Sequence, residues 1–116
     1  MARQLPIGVL ISGNGTNLQA IIDAIEARAL DAKIEVVLSN KADAYGLERA
    51  QKHNLYTAVL DHKSFHNREA YDEAVVDILR RSNVELVVLA GFMRLLSPLF
   101  IKAYSNRIMN IHPALL

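Results

Sequence analysis

The chain has 116 residues, with 13 Lys and Arg against 12 Asp and Glu, no Cys, and 52% hydrophobic residues. This length predicts one domain, and the lack of cysteine excludes a disulfide framework, a thiolate metal site and a cysteine nucleophile. A net charge of +1 gives no broad field for a nucleic-acid backbone, and the apolar runs are far below the roughly 20 residues that span a bilayer. We therefore expect a soluble, cytoplasmic protein that binds neither nucleic acid nor membrane.

Short apolar runs alternate with segments of helical spacing along the chain. This alternation is typical of an α/β fold, here a Rossmann-like, mostly parallel sheet with helices on both faces. Runs rich in Val, Ile and Leu predict five strands, over residues 7–11, 34–38, 56–60, 84–90 and 108–112. The first and fourth runs are almost continuously hydrophobic, which indicates central strands that are buried on both sides.

Four helices are predicted between these strands. Apolar residues at helical spacing indicate helices over 18–29 and 71–79, the second with Asn67 as its N-cap. Shorter helices are predicted over 44–53 and after Ser97-Pro98, because proline costs no hydrogen bond at a first helical position. Parallel strands joined by helices bring the loops after the strands to one edge of the sheet, where we expect ligands to bind.

The segment Ser12-Gly-Asn-Gly-Thr-Asn17 joins the first strand to the first helix. Gly13 and Gly15 can adopt positive φ and let the backbone approach an anion, and the N–H groups and dipole of a helix start favour negative charge. Thr16 and Asn17 add side-chain donors. The same glycines could also serve the geometry of the turn alone. The segment predicts a site for one phosphate group, such as that of a phosphoribosyl compound.

Two common nucleotide sites are not supported by this turn. A dinucleotide fingerprint needs a third glycine where Leu18 stands and an acid at the end of the second strand, where Ser39 and Asn40 stand. A P-loop needs a Gly-Lys-Ser/Thr ending, which does not follow. A nicotinamide-dependent oxidoreductase is therefore disfavoured, and a titration without nicotinamide binding would exclude it.

The segment Ala90-Gly-Phe-Met-Arg-Leu-Leu96 follows the most hydrophobic strand. Gly91 permits close approach of a substrate to the backbone, and the apolar side chains could line a pocket for a flat apolar ring. Alternatively, Phe92 and Leu96 seal the core. Arg94 is in an apolar cluster and arginine is rarely buried unpaired, so it either keeps its head in water or binds a carboxylate.

The segment Asn110-Ile-His112-Pro ends the last predicted strand. Alternation places Asn110 and His112 on one face, roughly 6 to 7 Å apart along the strand. A histidine can transfer a proton near neutral pH, and an asparagine amide can donate to an oxygen that gains negative charge. Alternatively, both are structural polar residues. Polar groups on an apolar strand are costly to bury without a purpose, so we favour a functional pair.

The other histidines are predicted to be solvated surface residues. They lie in polar stretches without the spacing of metal ligands, at His53, His62 and His66. No metal site is predicted.

Three segments, SGNGTNLQAI, AGFMRLLSP and NIHPALL, occur in this order. Together with Ser39-Asn-Lys-Ala-Asp43 and Arg68-Glu-Ala-Tyr-Asp72, they resemble the phosphoribosylglycinamide formyltransferases, a folate-dependent family of purine synthesis. The resemblance spans essentially the whole chain. Related enzymes that act on methionyl-tRNA or hydrolyse formyltetrahydrofolate share the Asn-x-His motif but not the SGNGTN turn.

The resemblance implies formyl transfer from the co-substrate 10-formyltetrahydrofolate to the amine of glycinamide ribonucleotide, without a metal. By family analogy, the ribonucleotide would be bound by Gly15, Thr16 and Asn17, with Gly91 and Asn110 also near it. The folate's glutamate carboxylate would meet Arg68, and the pterin pocket would be lined by Met93, Arg94, Leu95 and Leu96. The catalytic residues would be Asn110 and His112.

Members of this family continue beyond this point with further strands and a catalytic aspartate that positions or charges the histidine. We therefore expect residues 1–116 to be the N-terminal, ribonucleotide-binding portion of a formyltransferase domain, without its C-terminal remainder. The chain alone is expected to have little or no transferase activity. It is expected to be a monomer or a homodimer. The alternative function is a non-catalytic phosphate- or nucleotide-binding module, in which Asn110 and His112 are structural.

Overall fold

The structure, a computed structural model, describes residues 4–111 of the chain. The five strands are β1 (Leu5–Ile11), β2 (Ala32–Ser39), β3 (Thr57–Val59), β4 (Leu86–Ala90) and β5 (Ile108–Ile111). The helices are α1 (Thr16–Glu26), α2 (Tyr45–Lys52), α3 (Arg68–Arg81) and α4 (Pro98–Ala103), with a 3₁₀ turn at His62–Ser64. Strands and helices alternate as the apolar runs predict.

The strands form one parallel sheet in the order β3-β2-β1-β4-β5. β1 lies at its centre between β2 and β4, which confirms that the first and fourth apolar runs are internal strands. The strand order reverses between β1 and β4. From β1 the chain adds β2 and β3 on one side of the sheet, and it then adds β4 and β5 on the other side. In open α/β sheets the ligand crevice lies where the strand order reverses, which here is at the carboxyl ends of β1 and β4.

Alternation along β1 supplies both hydrophobic layers of the molecule. Val9 and Ile11 pack under α1 and α2, whereas Leu10 packs under α3 and α4. On the first side the helices bury Leu18, Ile21, Ile22, Leu47 and Ala50, and on the second side they bury Tyr71, Val75, Val76, Leu79, Phe100 and Tyr104. Helices therefore cover both faces of the sheet, as predicted.

Two helix starts follow their sequence signals closely. The Asn67 side chain accepts a hydrogen bond from the N–H of Ala70 at 2.8 Å, and Ser97 caps α4 with Pro98 in its first turn. α3 is the longest helix among residues 4–111, with 14 residues, and none of the helices described there is long and apolar enough to cross a membrane.

Several element ends differ from the prediction, and hydrogen bonds at helix ends explain two of them. β3 covers Thr57–Val59 in place of residues 56–60, and β1 and β2 each begin two residues earlier than predicted. α1 stops at Glu26, so the expectation of a helix to Ala29 is wrong: Arg28 adopts φ 61° and the N–H of Ala29 turns back to the carbonyl of Ala24. β4 begins at Leu86 rather than at residue 84, because the N–H of Val84 closes the end of α3 on the Leu79 carbonyl. Backbone hydrogen bonds at helix ends decide both boundaries.

Candidate active site

Two loops meet at the crevice between β1 and β4. The glycine turn (residues 12–15) follows β1, and the β4 loop (residues 91–97) follows β4. The buried Ser12 hydroxyl oxygen accepts a hydrogen bond from the N–H of Met93 at 2.8 Å. The first and second predicted sites are therefore joined directly. This contact of Ser12 was not predicted from the sequence. The available signal was a serine directly after an apolar strand, and it does not show a partner 81 residues away.

The glycine turn depends on one glycine rather than on two. Gly15 adopts φ 79° as it enters α1, and a Cβ atom there would lie 2.5 Å from the Cα of Gly46. Gly13 does not have positive φ, and a Cβ atom there would meet nothing within 4 Å. The expectation of positive φ is thus confirmed for Gly15 and wrong for Gly13.

The start of α1 is open. No side chain caps it, and the first helical hydrogen bond runs from the N–H of Gln19 to the Gly15 carbonyl at 2.8 Å. The N–H groups of Thr16, Asn17 and Leu18 therefore lack an acceptor within the helix. These donors and the positive end of the helix dipole suit an anion, and the exposed Thr16 and half-buried Asn17 side chains lie beside them.

α2 holds the glycine turn from the other side. The N–H of Gly46 donates to the Gly13 carbonyl at 3.0 Å, and Arg49 donates from Nε to the Asn14 carbonyl at 2.7 Å. Sequence reasoning missed Arg49, because its partner lies 35 residues earlier in the chain. At the end of β2, where a dinucleotide site needs an acid, the buried residues are Ser39 and Asn40.

The β4 loop alternates between buried and exposed apolar side chains. Met93 and Leu95 are 76% and 74% exposed, whereas Phe92 and Leu96 are half-buried against the hydrophobic layer under α3 and α4. Phe92 and Leu96 thus help to seal the core, one of the two alternatives that the sequence left open. Gly91 adopts φ 75°, and a Cβ atom there would meet nothing within 4 Å, so the backbone at this position is accessible.

A buried carboxylate fastens the end of the β4 loop. Asp72 of α3 is 2% exposed and accepts a hydrogen bond from the N–H of Ser97 at 2.7 Å. Hydrogen bonds to ionised groups are stronger than neutral ones, so this contact holds the loop firmly to α3. This contact of Asp72 could not be predicted from the sequence, because its partner lies 25 residues later in the chain.

Arg94 lies over an aromatic ring of α3. Its guanidinium carbon is 4.7 Å from the centroid of the Tyr71 ring, which is a cation–π contact. The Tyr71 hydroxyl donates to the Leu60 carbonyl at 2.8 Å. Burial raises the pKa of Tyr71 to about 12; the charge of Arg94 opposes this shift and that of Asp72 adds to it. The guanidinium of Arg94 itself, and not only the side-chain stem, thus packs on an aromatic ring, and binding of a carboxylate by Arg94 stays a prediction.

Asn110 lies at the carboxyl end of the strand next to β4. It is exposed and in register with Leu89 of β4, so the end of β5 comes beside the β4 loop. The other member of the predicted pair, His112, lies outside the described residues, as does Pro113. The third predicted site is thus placed at the same sheet edge through Asn110.

Comparison with known proteins identifies the family. Residues 5–116 match the family described as formyl transferase. The chain belongs to the formyl transferase family. This confirms the resemblance that the three motifs indicated, including its formyltransferase class.

Members of the formyl transferase family with close similarity occur in bacteria and animals. The chain is 51% identical to the phosphoribosylglycinamide formyltransferase of Escherichia coli over 110 residues, which are 95% of this chain and 52% of that protein. It is 43% identical over 110 residues to the human trifunctional purine biosynthetic protein adenosine-3, covering 95% of this chain and 11% of that protein. The chain thus spans about half the length of the bacterial relative.

A solved structure of the same formyl transferase type shares the fold. The glycinamide ribonucleotide transformylase 1 of Symbiobacterium toebii superposes with a TM-score of 0.94 at 45% identity, covering 100% of this chain and 55% of that one. The parallel sheet and its helices in this chain are therefore the arrangement of that enzyme's matching half.

The histidines of this formyl transferase chain differ in their surroundings. His53 lies at the surface, as predicted, but its side chain is only 27% exposed and its Nδ1 lies 2.6 Å from Oε2 of Glu26. His62 and His66 are exposed, as predicted, and His62 lies 3.7 Å from an Asp61 oxygen. Within residues 4–111, no group of three or more His, Asp or Glu side chains could hold a metal ion.

Proposed function

We propose that the protein transfers a formyl group from 10-formyltetrahydrofolate to the amine of glycinamide ribonucleotide in purine synthesis, with residues 1–116 as the ribonucleotide-binding portion of the domain. The observation that carries this proposal is the hydrogen bond between Ser12 and Met93. It joins the glycine turn, whose open N–H groups suit an anion, to an exposed apolar loop, so a phosphate and a flat ring would lie in one crevice. The names of the relatives in Escherichia coli and Symbiobacterium toebii support formyl transfer to the same ribonucleotide.

The ribonucleotide phosphate is proposed to bind at the start of α1. Gly15, Thr16 and Asn17 carry the open N–H groups and the side-chain donors there. Gly91, with its accessible backbone on the facing loop, would contact the glycinamide end of the same molecule, close to Asn110. A phosphate monoester is the simplest ligand that matches a helix start without a capping side chain.

The folate is proposed to bind along the β4 loop and the start of α3. Met93 and Leu95 offer exposed apolar surface for the pterin ring, with Arg94 and Leu96 completing the loop beside them. Arg68 is exposed in the first turn of α3 and lies one turn before Asp72, which holds this loop. Its guanidinium would pair with the glutamate carboxylate of the folate.

The proposed chemistry is a direct transfer between two nitrogens. The neutral amine of the ribonucleotide attacks the formyl carbon, a C–N bond forms, and the carbonyl oxygen takes the electron pair. The amine then loses its proton, and the bond to the folate nitrogen breaks as that nitrogen gains a proton. The Asn110 amide would donate a hydrogen bond to the oxyanion. His112 would help to stabilise the oxyanion and would transfer a proton between the amine and the folate nitrogen.

The test measures formyl transfer by two proteins. One is the chain alone, and the other is the chain fused to the part of the Escherichia coli relative that the chain does not match. The chain alone is expected to show little or no transfer, and the joined protein is expected to show it. Asn110→Ala and His112→Ala should each lower kcat by about 10²- to 10³-fold, with a much smaller change in the KM for the ribonucleotide.

Met109→Ala is the matched control, since Met109 is an exposed neighbour on the same strand. Its kcat should stay near that of the unmutated protein. If the joined protein bound the ribonucleotide but the Asn110 and His112 variants kept full turnover, these two residues would be structural. A non-catalytic phosphate-binding role for this chain would then be favoured.

A further inference from the structure

The first turn of α2 lies against the glycine turn at backbone contact distance. The N–H of Gly46 donates to the Gly13 carbonyl at 3.0 Å. A Cβ atom on Gly46 would lie 3.2 Å from the Cα of Gly15, and one on Gly15 would lie 2.5 Å from the Cα of Gly46. Neither position has room for a side chain, so α2 and the turn are packed as one unit.

Arg49 extends this contact by three hydrogen bonds. Its Nε donates to the Asn14 carbonyl at 2.7 Å, Nη2 donates to Oδ1 of Asn14 at 3.3 Å, and Nη1 donates to Oε1 of Gln19 at 3.4 Å. The planar guanidinium thus binds a main-chain oxygen, a side chain of the turn and a side chain of α1. A lysine ammonium, which lacks this rigid fork, cannot match these directions.

An aromatic ring supports the guanidinium. The Cζ atom of Arg49 lies 4.9 Å from the centroid of the Tyr45 ring, one turn earlier on α2. Lys52 shares this ring, with Nζ 5.7 Å from its centroid and 3.4 Å from its hydroxyl oxygen. Lys52 carries the same charge as Arg49 but contacts Tyr45 and makes no hydrogen bond to residues 12–15, which makes it a natural control.

These contacts determine where two N–H groups of the turn point. In a trans peptide, the carbonyl of one residue and the N–H of the next point in opposite directions. Because the Gly13 and Asn14 carbonyls are bound by α2, the N–H groups of Asn14 and Gly15 face away from α2. Two successive donors are thereby held ready for an acceptor on the far side of the turn.

We propose that Arg49 is a positioning residue for phosphate binding: it fixes the Asn14–Gly15 peptide so that the turn presents its N–H groups to a phosphate monoester. This inference rests on the proposed function, which puts the ribonucleotide phosphate at this turn. Arg49 acts here through the hydrogen bonds of its guanidinium to the turn. A positive charge at this position without those hydrogen bonds does not position the peptide.

The experiment measures binding of ribose 5-phosphate to the chain by NMR titration, with the unmutated protein, Arg49→Lys, Arg49→Met and Lys52→Met. Both Arg49 variants should raise the Kd by about tenfold or more, since each releases the turn. Lys52→Met should change the Kd by less than about twofold. In the ligand-free state, the amide resonances of Asn14 and Gly15 should move in both Arg49 variants and stay in place in Lys52→Met.

Each alternative outcome overturns a defined statement. If Arg49→Lys binds like the unmutated protein while Arg49→Met does not, Arg49 supplies charge and the positioning role is wrong. If all variants bind alike, the turn needs no support from Arg49. If the unmutated chain does not bind ribose 5-phosphate, the proposed phosphate site fails together with this inference. Thermal unfolding of each variant separates these results from loss of fold, because half-exposed Arg49 is not a core residue.

Discussion

The glycine turn and the β4 loop form two sides of one crevice, but they are built in different ways. The glycine turn presents main-chain N–H groups and is held by α2 on one face of the sheet. The β4 loop presents the apolar side chains of Met93 and Leu95 and is held by α3 on the other face. The polar half of the crevice thus depends on backbone geometry, and the apolar half depends on the hydrogen bond that holds the β4 loop to α3.

Substitution of Gly15 should have the largest effect on the first side. Gly15→Ala forces a side chain into φ 79° and within 2.5 Å of the Gly46 Cα. Strain of this kind costs about 1 to 3 kcal/mol, so denaturant unfolding should show that loss. Ribose 5-phosphate binding should weaken by more than about tenfold.

Gly13→Ala is the matched control for this prediction. A Cβ atom at Gly13 meets nothing within 4 Å, and its φ is not positive. Stability and binding should both stay near those of the unmutated chain. If the two alanine variants behaved alike, the special role of Gly15 would be wrong.

Removal of Asp72 should have the largest effect on the second side. Asp72→Ala leaves the buried N–H of Ser97 without its acceptor, a loss of about 1.5 to 3 kcal/mol for a charged hydrogen bond. Folic acid binding should weaken, while ribose 5-phosphate binding should be nearly unchanged. Asp77→Ala is the control, since the exposed Asp77 pairs with Arg81 at 3.1 Å. The loss of this surface pair should cost less than about 0.5 kcal/mol.

Loss of the hydroxyl at Ser12 should affect both sides to a smaller extent. Ser12→Ala removes the acceptor for the N–H of Met93 and should lower the free energy of unfolding by about 1 to 2 kcal/mol. Titrations should show weaker binding of both ribose 5-phosphate and folic acid. Ser105→Ala, at an exposed position, should change neither; a variant of Ser12 that affected only one ligand would argue against a shared crevice.

The last expected effect is a loss of stability through Tyr71 that appears only in alkaline solution, not at neutral pH. Its pKa is raised from 10.0 to about 12 by burial, so the unfolded chain loses this proton first. The contribution to stability is therefore complete below pH 10 and falls as the pH rises toward 12. Unfolding measured from pH 9 to 12 should show a shallower decline in Tyr71→Phe, with the raised pKa of Tyr104 still contributing. An unchanged slope would contradict the assignment to Tyr71.

Periodicity and local signals predicted most of the fold. Continuous apolar runs identified the internal strands β1 and β4, and Asn67 and Ser97 identified two helix starts, because these signals act within a few residues. Helix ends were harder to predict. Asn54, Asn83 and Asn106 take positive φ after helices, as asparagine readily does, but Arg28 does the same at the end of α1, where its residue type gives no warning.

The site was predicted where its residues are consecutive and missed where they are distant. The turn from Ser12 to Asn17 and the β4 loop could be located because a strand, a glycine and a helix start follow one another in sequence. Arg49 and Asp72 could not, since each acts on a partner 25 or more residues away. Only the packing of α2 and α3 against the sheet brings those contacts together.

The most direct test of a shared crevice is an NMR measurement of nuclear Overhauser effects between two bound ligands, ribose 5-phosphate and folic acid, on the chain. We predict effects between the sugar and the pterin, with ribose 5-phosphate shifting the amides of Gly15 to Asn17 and folic acid shifting the methyl groups of Met93 and Leu95. Simultaneous binding of the two ligands at separate surfaces, without any effect between them, would contradict the shared crevice.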